Sequence, residues 1–152
     1  MTEKRRLICA SLALATAAWT VAIVAGPWLS TVTGMVGGWL YAAGSLVCHQ
    51  RPERSFHLGA AQLPVCARCL GLYAGGAVGL LAWTIGARRR SPWPARQATL
   101  ALAMTGAPTA ITVVTASVGL GDPSNLWRAG LAAPLGIASG LVVGAVVTDH
   151  LK

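Results

Sequence analysis

Three cysteines and a histidine fall close enough together to do chemistry. From Cys48 to Tyr73 the chain reads CHQRPERSFHLGAAQLPVCARCLGLY. Thiolate and imidazole suit zinc or another borderline-soft metal, and three cysteines with one histidine form an accepted tetrahedral set. Cys48, His49, Cys66 and Cys69 supply that set if two adjacent residues both turn inward; His57 is the alternative fourth ligand. Arg51, Arg54 and Arg68 nearby would favour the thiolates. Two other readings stay open. A C-x-x-C at the start of a helix is also a thiol–disulfide pair, with Cys48 as its resolving thiol and a quinone as electron partner. A structural disulfide is the third, although an odd number of motif thiols weighs against it.

The arginines suggest a second subsite. Arg54, Arg68 and Arg128 converge if Arg68 and Arg128 begin neighbouring helices. Guanidinium groups bind phosphate or carboxylate through paired hydrogen bonds, and Gln50, Ser55, Tyr73 and Asn125 are placed to support them. The plain alternative is a set of solvated loop charges touching lipid phosphate.

The elements that must position these residues are apolar helices. Of 152 residues, 55% are hydrophobic and only 11% charged, where a soluble domain needs roughly a quarter charged. Leu7–Leu29 is a charge-free run of 23 residues. That is enough to span a bilayer and longer than the apolar part of a signal peptide. Further spans are expected at about 63–87, 98–120 and 129–148, the second reaching back to Leu63 if Arg68 sits at headgroup level. Thr31–Val47 is shorter, holds four glycines and follows Pro27; it crosses, re-enters or lies along the surface.

Charge decides between these topologies. If 31–47 does not cross, eight basic residues are cytoplasmic (Lys4, Arg5, Arg6, Arg88, Arg89, Arg90, Arg96, Lys152) and four external (Arg51, Arg54, Arg68, Arg128). If it crosses, the split is seven to five and the arginine-rich loop at 88–96 moves outside. The positive-inside rule favours the first arrangement. The same rule accounts for the net charge of +8, so nucleic acid is not the expected partner.

Glycines recur at every fourth position in two helices, Gly71, Gly75 and Gly79 in one and Gly136, Gly140 and Gly144 in the other. Such GxxxG strips let helix backbones approach closely. At about 100° per residue, Cys66, Cys69 and Tyr73 lie opposite the first strip. Cys9, inside an apolar run, reads as a packing residue. Ser124 or Asn125 is placed to cap the last helix.

The motifs resemble a family of small uncharacterised predicted membrane proteins of bacteria and archaea. Its signature is C-H-Q, an R-S-F segment, C-A-R-C/D-x-G-x-Y-x-G and a later S-N-x-x-R. Here these are Cys48-His49-Gln50, Arg54-Ser55-Phe56, Cys66 through Gly75, and Ser124-Asn125-Leu126-Trp127-Arg128. The resemblance implies a site without naming a reaction. Some members carry Asp at the position of Cys69, which a metal site tolerates and a disulfide does not. Many carry an acid before the S-N-x-x-R turn, where Pro108–Thr112 has none.

The expectation is therefore an all-α polytopic membrane bundle, a single integral domain of about four transmembrane helices plus one short re-entrant or interfacial helix. Its termini are cytoplasmic and its Cys/His site external. The site is expected to hold a metal, zinc foremost, and to act by metal-assisted hydrolysis or transfer on a lipid-linked anion. A quinone-linked oxidoreductase and a non-enzymatic metal carrier or sensor are the alternatives. Membrane lipids, and a second copy of the chain, are the expected partners.

Overall fold

The computed structural model describes residues 3–86 and 93–149. Four of its helices are long and apolar enough to cross a membrane. They are α1 (Glu3–Val32), α3 (Ala67–Gly86), α4 (Ala95–Ser117) and α5 (Asn125–Val147). A short helix α2 (Gly34–Ser45) follows α1, and a 3-10 turn (Pro52–Arg54) leads into a hairpin of β1 (Ser55–Leu58) and β2 (Ala61–Cys66). Arg88, Arg89, Arg90 and Lys152 from the charge count, with His150, lie outside the described residues.

Three boundaries differ from expectation. α3 does not reach back to Leu63: residues 61–66 are a strand, and the helix starts at Ala67. Pro64 has no N–H to give a helix, and the two-residue turn Gly59-Ala60, with Gly59 at φ +62°, closes the hairpin instead. Pro27 does not end α1 but lies buried inside it. The break comes at Thr33, and α2 holds only 12 residues. At 1.5 Å per residue α2 is about 18 Å long, too short for a hydrocarbon core of about 30 Å.

α3 and α5 form the most extensive interface of the bundle. A methyl added at Gly71, Gly75 or Gly79 would strike the backbone of Ala129, Ala133 or Ile137, and one at Gly136 or Gly140 would strike Leu72 or Gly76. The paired positions rise together along both helices, so α3 and α5 run parallel. Ser124 caps α5, its hydroxyl accepting from the Trp127 N–H at 3.5 Å.

Two packed clusters mark the two ends. At one, Ile23, Cys48, Leu63 and Val65 are buried against Trp19, Phe56, Leu70 and Tyr73. At the other, Cys9, Trp83 and Ala145 pack together, with Trp93 stacked on Trp83. Arg5 is ion-paired to Asp149 at this second end, so the start of α1 and the end of α5 share it. The hairpin and the α4–α5 connection share the first end, where the Asn125 amide donates to Ser55 O at 2.9 Å. Exposed Trp28, Trp39 and Trp127 belong to that end also.

The glycine contact makes a direct prediction. Gly75→Ala should destabilise the bundle in detergent by about 1–3 kcal/mol, the usual range for overpacking. Gly130→Ala, in the same helix pair with nothing within 4 Å of the new methyl, should be neutral or stabilise by up to about 1 kcal/mol. Thermal melting of the two variants beside the parent checks this.

Candidate metal and anion site

Cys48 follows α2, Cys66 ends β2, and Cys69 lies in the first turn of α3. Chain connectivity thus brings three separate segments to one point, and the three sulfur atoms all lie within 4.8 Å of one another. Tetrahedral bonds of about 2.3 Å to a common ion would set them about 3.8 Å apart, so small side-chain rotations suffice. These three cysteines could hold a metal ion.

The backbone has already fixed one of the sulfurs. Cys48 Sγ accepts the Cys66 N–H at 3.1 Å and the Gln50 N–H at 3.5 Å. Gln50 has φ +49°, a left-handed conformation that turns its N–H back onto the sulfur two residues earlier. The pKa of Cys66 is lowered to about 5, first by a hydrogen bond from the Cys69 thiol, against the opposing effect of burial. Backbone donors at the start of α3 and the Cys48 thiol lower it further.

His49 does not join the three sulfurs. Cys48 turns inward and is buried, whereas His49 points out and is exposed. Two adjacent side chains cannot both face inward without a bend, and the left-handed residue comes only after His49. His57, on the exposed side of β1, is also outside the group.

A cleft of about 310 Å³ opens beside the sulfurs. The three cysteines share its lining with Arg51, Arg54 and Arg68, and His49 and Gln50 complete it. Arg68 is held by Thr112 of α4, its Nη2 donating to Oγ1 at 3.2 Å. Arg54 reaches Asp122 at 3.5 Å. Arg128 is not among the lining residues. It is buried, ion-paired to Asp122, and donates to Asn125 Oδ1 at 2.7 Å and to Glu53 O at 3.3 Å.

The expected supporting residues turn out to hold the frame together. Gln50 donates both amide protons to backbone carbonyls, Tyr41 O at 2.8 Å and Pro64 O at 2.6 Å. Gln62 returns a bond to Gln50 O at 2.7 Å, and the Tyr41 hydroxyl donates to Gln62 O. The buried Ser55 hydroxyl donates to Arg51 O at 2.9 Å. Tyr73 packs edge-on against Trp19.

Asp122 and Thr112 were missed. The only hint for Asp122 was that it is one of two acids, with Glu53, among the external arginines. Its pKa is depressed, first by its hydrogen bond to Arg128, with the charges of Arg128, Arg54 and Arg68 adding to it.

The lowered Cys66 value predicts thiol reactivity. In metal-free protein carrying Cys9→Ala, one thiol should react with iodoacetamide at a rate that levels off above about pH 5–6. An ordinary thiol would keep accelerating to about pH 8–9. Peptide mapping of the label should place it on Cys66.

Sequence comparisons give the setting of this site. A 42-residue segment is 52% identical to an uncharacterized protein of Methanocaldococcus jannaschii; it covers 28% of this chain and 27% of that protein. The chain thus spans about a quarter of the length of that relative. A second uncharacterized protein, from Methanothermobacter thermautotrophicus, is 35% identical over 106 residues, which is 69% of this chain and 89% of that one. No solved structure matches. Residues 48–143, from the first motif cysteine to the last turns of α5, match the family described as "Predicted membrane protein (DUF2085)", and with so much of its length inside that match this multi-pass chain belongs to the family.

Proposed function

We propose that the protein is a membrane metalloprotein in which Cys48, Cys66 and Cys69 bind one zinc-class ion at the external face. The arginine-lined cleft beside the sulfurs would receive a lipid-linked anion, and the ion would supply Lewis-acid chemistry for its hydrolysis or transfer. The observation that carries this is the meeting of three sulfurs from three segments, one of them held by two backbone N–H groups. Three thiolates leave a fourth coordination position for water, substrate or a rotated His49. Such an ion polarises a phosphoryl or carbonyl oxygen. Arg54 and Arg68 would orient the negative group beside it. The basic residues Lys4, Arg5, Arg6 and Arg96 at the opposite end support the external placement.

One feature favours a second reading. Cys66 and Cys69 share a hydrogen bond at the start of a helix, as a dithiol pair does. On that reading two thiols form one disulfide and pass two electrons and two protons to a quinone.

Metal analysis and thiol titration of purified protein separate the two. About one zinc per chain is expected, lost in Cys66→Ser and retained with about 10–100-fold weaker affinity in Cys69→Asp, where a carboxylate replaces the thiolate. A metal-free protein in which two of the three motif thiols are oxidised and reducible would sink the metal reading and establish the dithiol one.

A further inference from the structure

Around the cleft four arginines, Arg51, Arg54, Arg68 and Arg128, stand against two acids, the exposed Glu53 and Asp122. Asp122 Oδ1 meets Arg128, Oδ2 lies 3.5 Å from Arg54, and Arg68 adds its field to the same carboxylate. One carboxylate thus serves three guanidinium groups. Arg51 lines the cleft as well. The Arg128 side chain is only 4% exposed, and a buried cation without a close partner is strongly destabilising.

Each of the same three arginines also has one donor without an acceptor. The Nε–H groups of Arg54, Arg68 and Arg128 are buried and have no hydrogen-bond partner among the described residues. Buried donors are nearly always satisfied. Two of the three, Arg54 and Arg68, line the cleft, and their donors call for an additional acceptor there carrying several oxygens and negative charge. A phosphate group has both properties and matches the guanidinium fork.

The two contacts of Asp122 are unequal. Arg128 holds it closely, and the buried charge of Arg128 needs it. Arg54 stands at 3.5 Å, is one-third exposed, and lines the cleft. The exchangeable contact is therefore the one to Arg54. Asp122 itself is 40% exposed, in the linker between α4 and α5, next to Gly121 at φ +125°.

We propose that Asp122 acts as an internal anion that holds Arg54 until a phosphoryl group enters the cleft, takes over Arg54 and bridges it to Arg68. The group is a phosphomonoester of a lipid headgroup or free phosphate, two sources of the same chemistry. The inference rests on the cleft being the anion site of the proposed function, but it does not require the metal.

Calorimetric titration of protein as purified, with its metal content recorded, tests this. The probes are dihexanoyl phosphatidic acid, inorganic phosphate and dihexanoyl phosphatidylcholine. The phosphomonoester or phosphate should bind and the phosphatidylcholine should not. Asp122→Asn, which keeps an acceptor oxygen for Arg128 but removes the competing charge, should tighten binding about tenfold. Arg54→Gln should weaken it at least as much. Tighter binding of phosphatidic acid than of phosphate places the source in a lipid; equal binding places it in free phosphate, and either supports the proposal. Binding that is lost in Arg54→Gln yet unchanged or weakened in Asp122→Asn leaves the anion site standing and overturns the role of Asp122. No binding of either phosphate probe to any variant overturns both. If Asp122→Asn does not fold, carbodiimide labelling of the parent protein decides. Phosphate should raise labelling of Asp122 severalfold as Arg54 leaves it, and unchanged labelling overturns the proposal.

Discussion

α3 and α5 touch backbone to backbone because glycines in each lie against the chain of the other. Among lipid tails, apolar surface alone gives helices little reason to associate, so close packing must do it. The pairing of Gly71 with Ala129, Gly75 with Ala133 and Gly79 with Ile137 also fixes the register. Both helices then begin at the same end, with Arg68 and Arg128 in or near their first turns. Each helix start carries unpaired N–H groups and about half a positive charge. The packing contact thereby sets two helix termini and two arginines side by side, an arrangement that favours thiolates and anions alike.

The hairpin is the other half of the construction. Non-helical backbone at the edge of a membrane must find its hydrogen bonds within the protein. Gln50, Gln62 and Tyr41 supply them by linking the loop after α2 to β2. Pro64 of β2 seats against Gly26 of α1, and Gly44 of α2 lies against the Pro64 carbonyl; a methyl on either glycine would collide. The strand is wedged between two helices, and Cys66 at its end is brought to Cys48. Gln50, which also lines the cleft, and Gln62 thus hold the cysteines in place.

The long spans were legible because absence of charge over some twenty residues has few other meanings. The glycine spacing was legible for a similar reason, since four-residue periodicity defines a helix face. The hairpin was not. Leu63-Pro64-Val65 is a short apolar run, and such a run does not distinguish the end of a helix from a buried strand. Nor did adjacency in Cys48-His49 reveal which residue faces inward, because that depends on the backbone turn at Gln50. Asp122 stands 68 positions from Arg54. Their contact exists only because α4 and α5 return the chain to the hairpin, which no local pattern encodes.

Depth ties the two halves of the proposed site together. Trp28, Trp39 and Trp127 are exposed at the end that carries the cleft, and tryptophan prefers the headgroup layer. On the proposed reading, a cleft at that level would meet lipid headgroups directly, and a lipid-linked ligand would reach it by moving within the plane of the membrane. The surroundings are also less polar than bulk water, which strengthens the pull of each guanidinium. The same medium makes an unoccupied cluster of cations costly, and an internal carboxylate moderates that cost. On this reading Asp122 is required by the location of the site: the stronger the arginines are made for a ligand at this depth, the more they need an anion when the ligand is away.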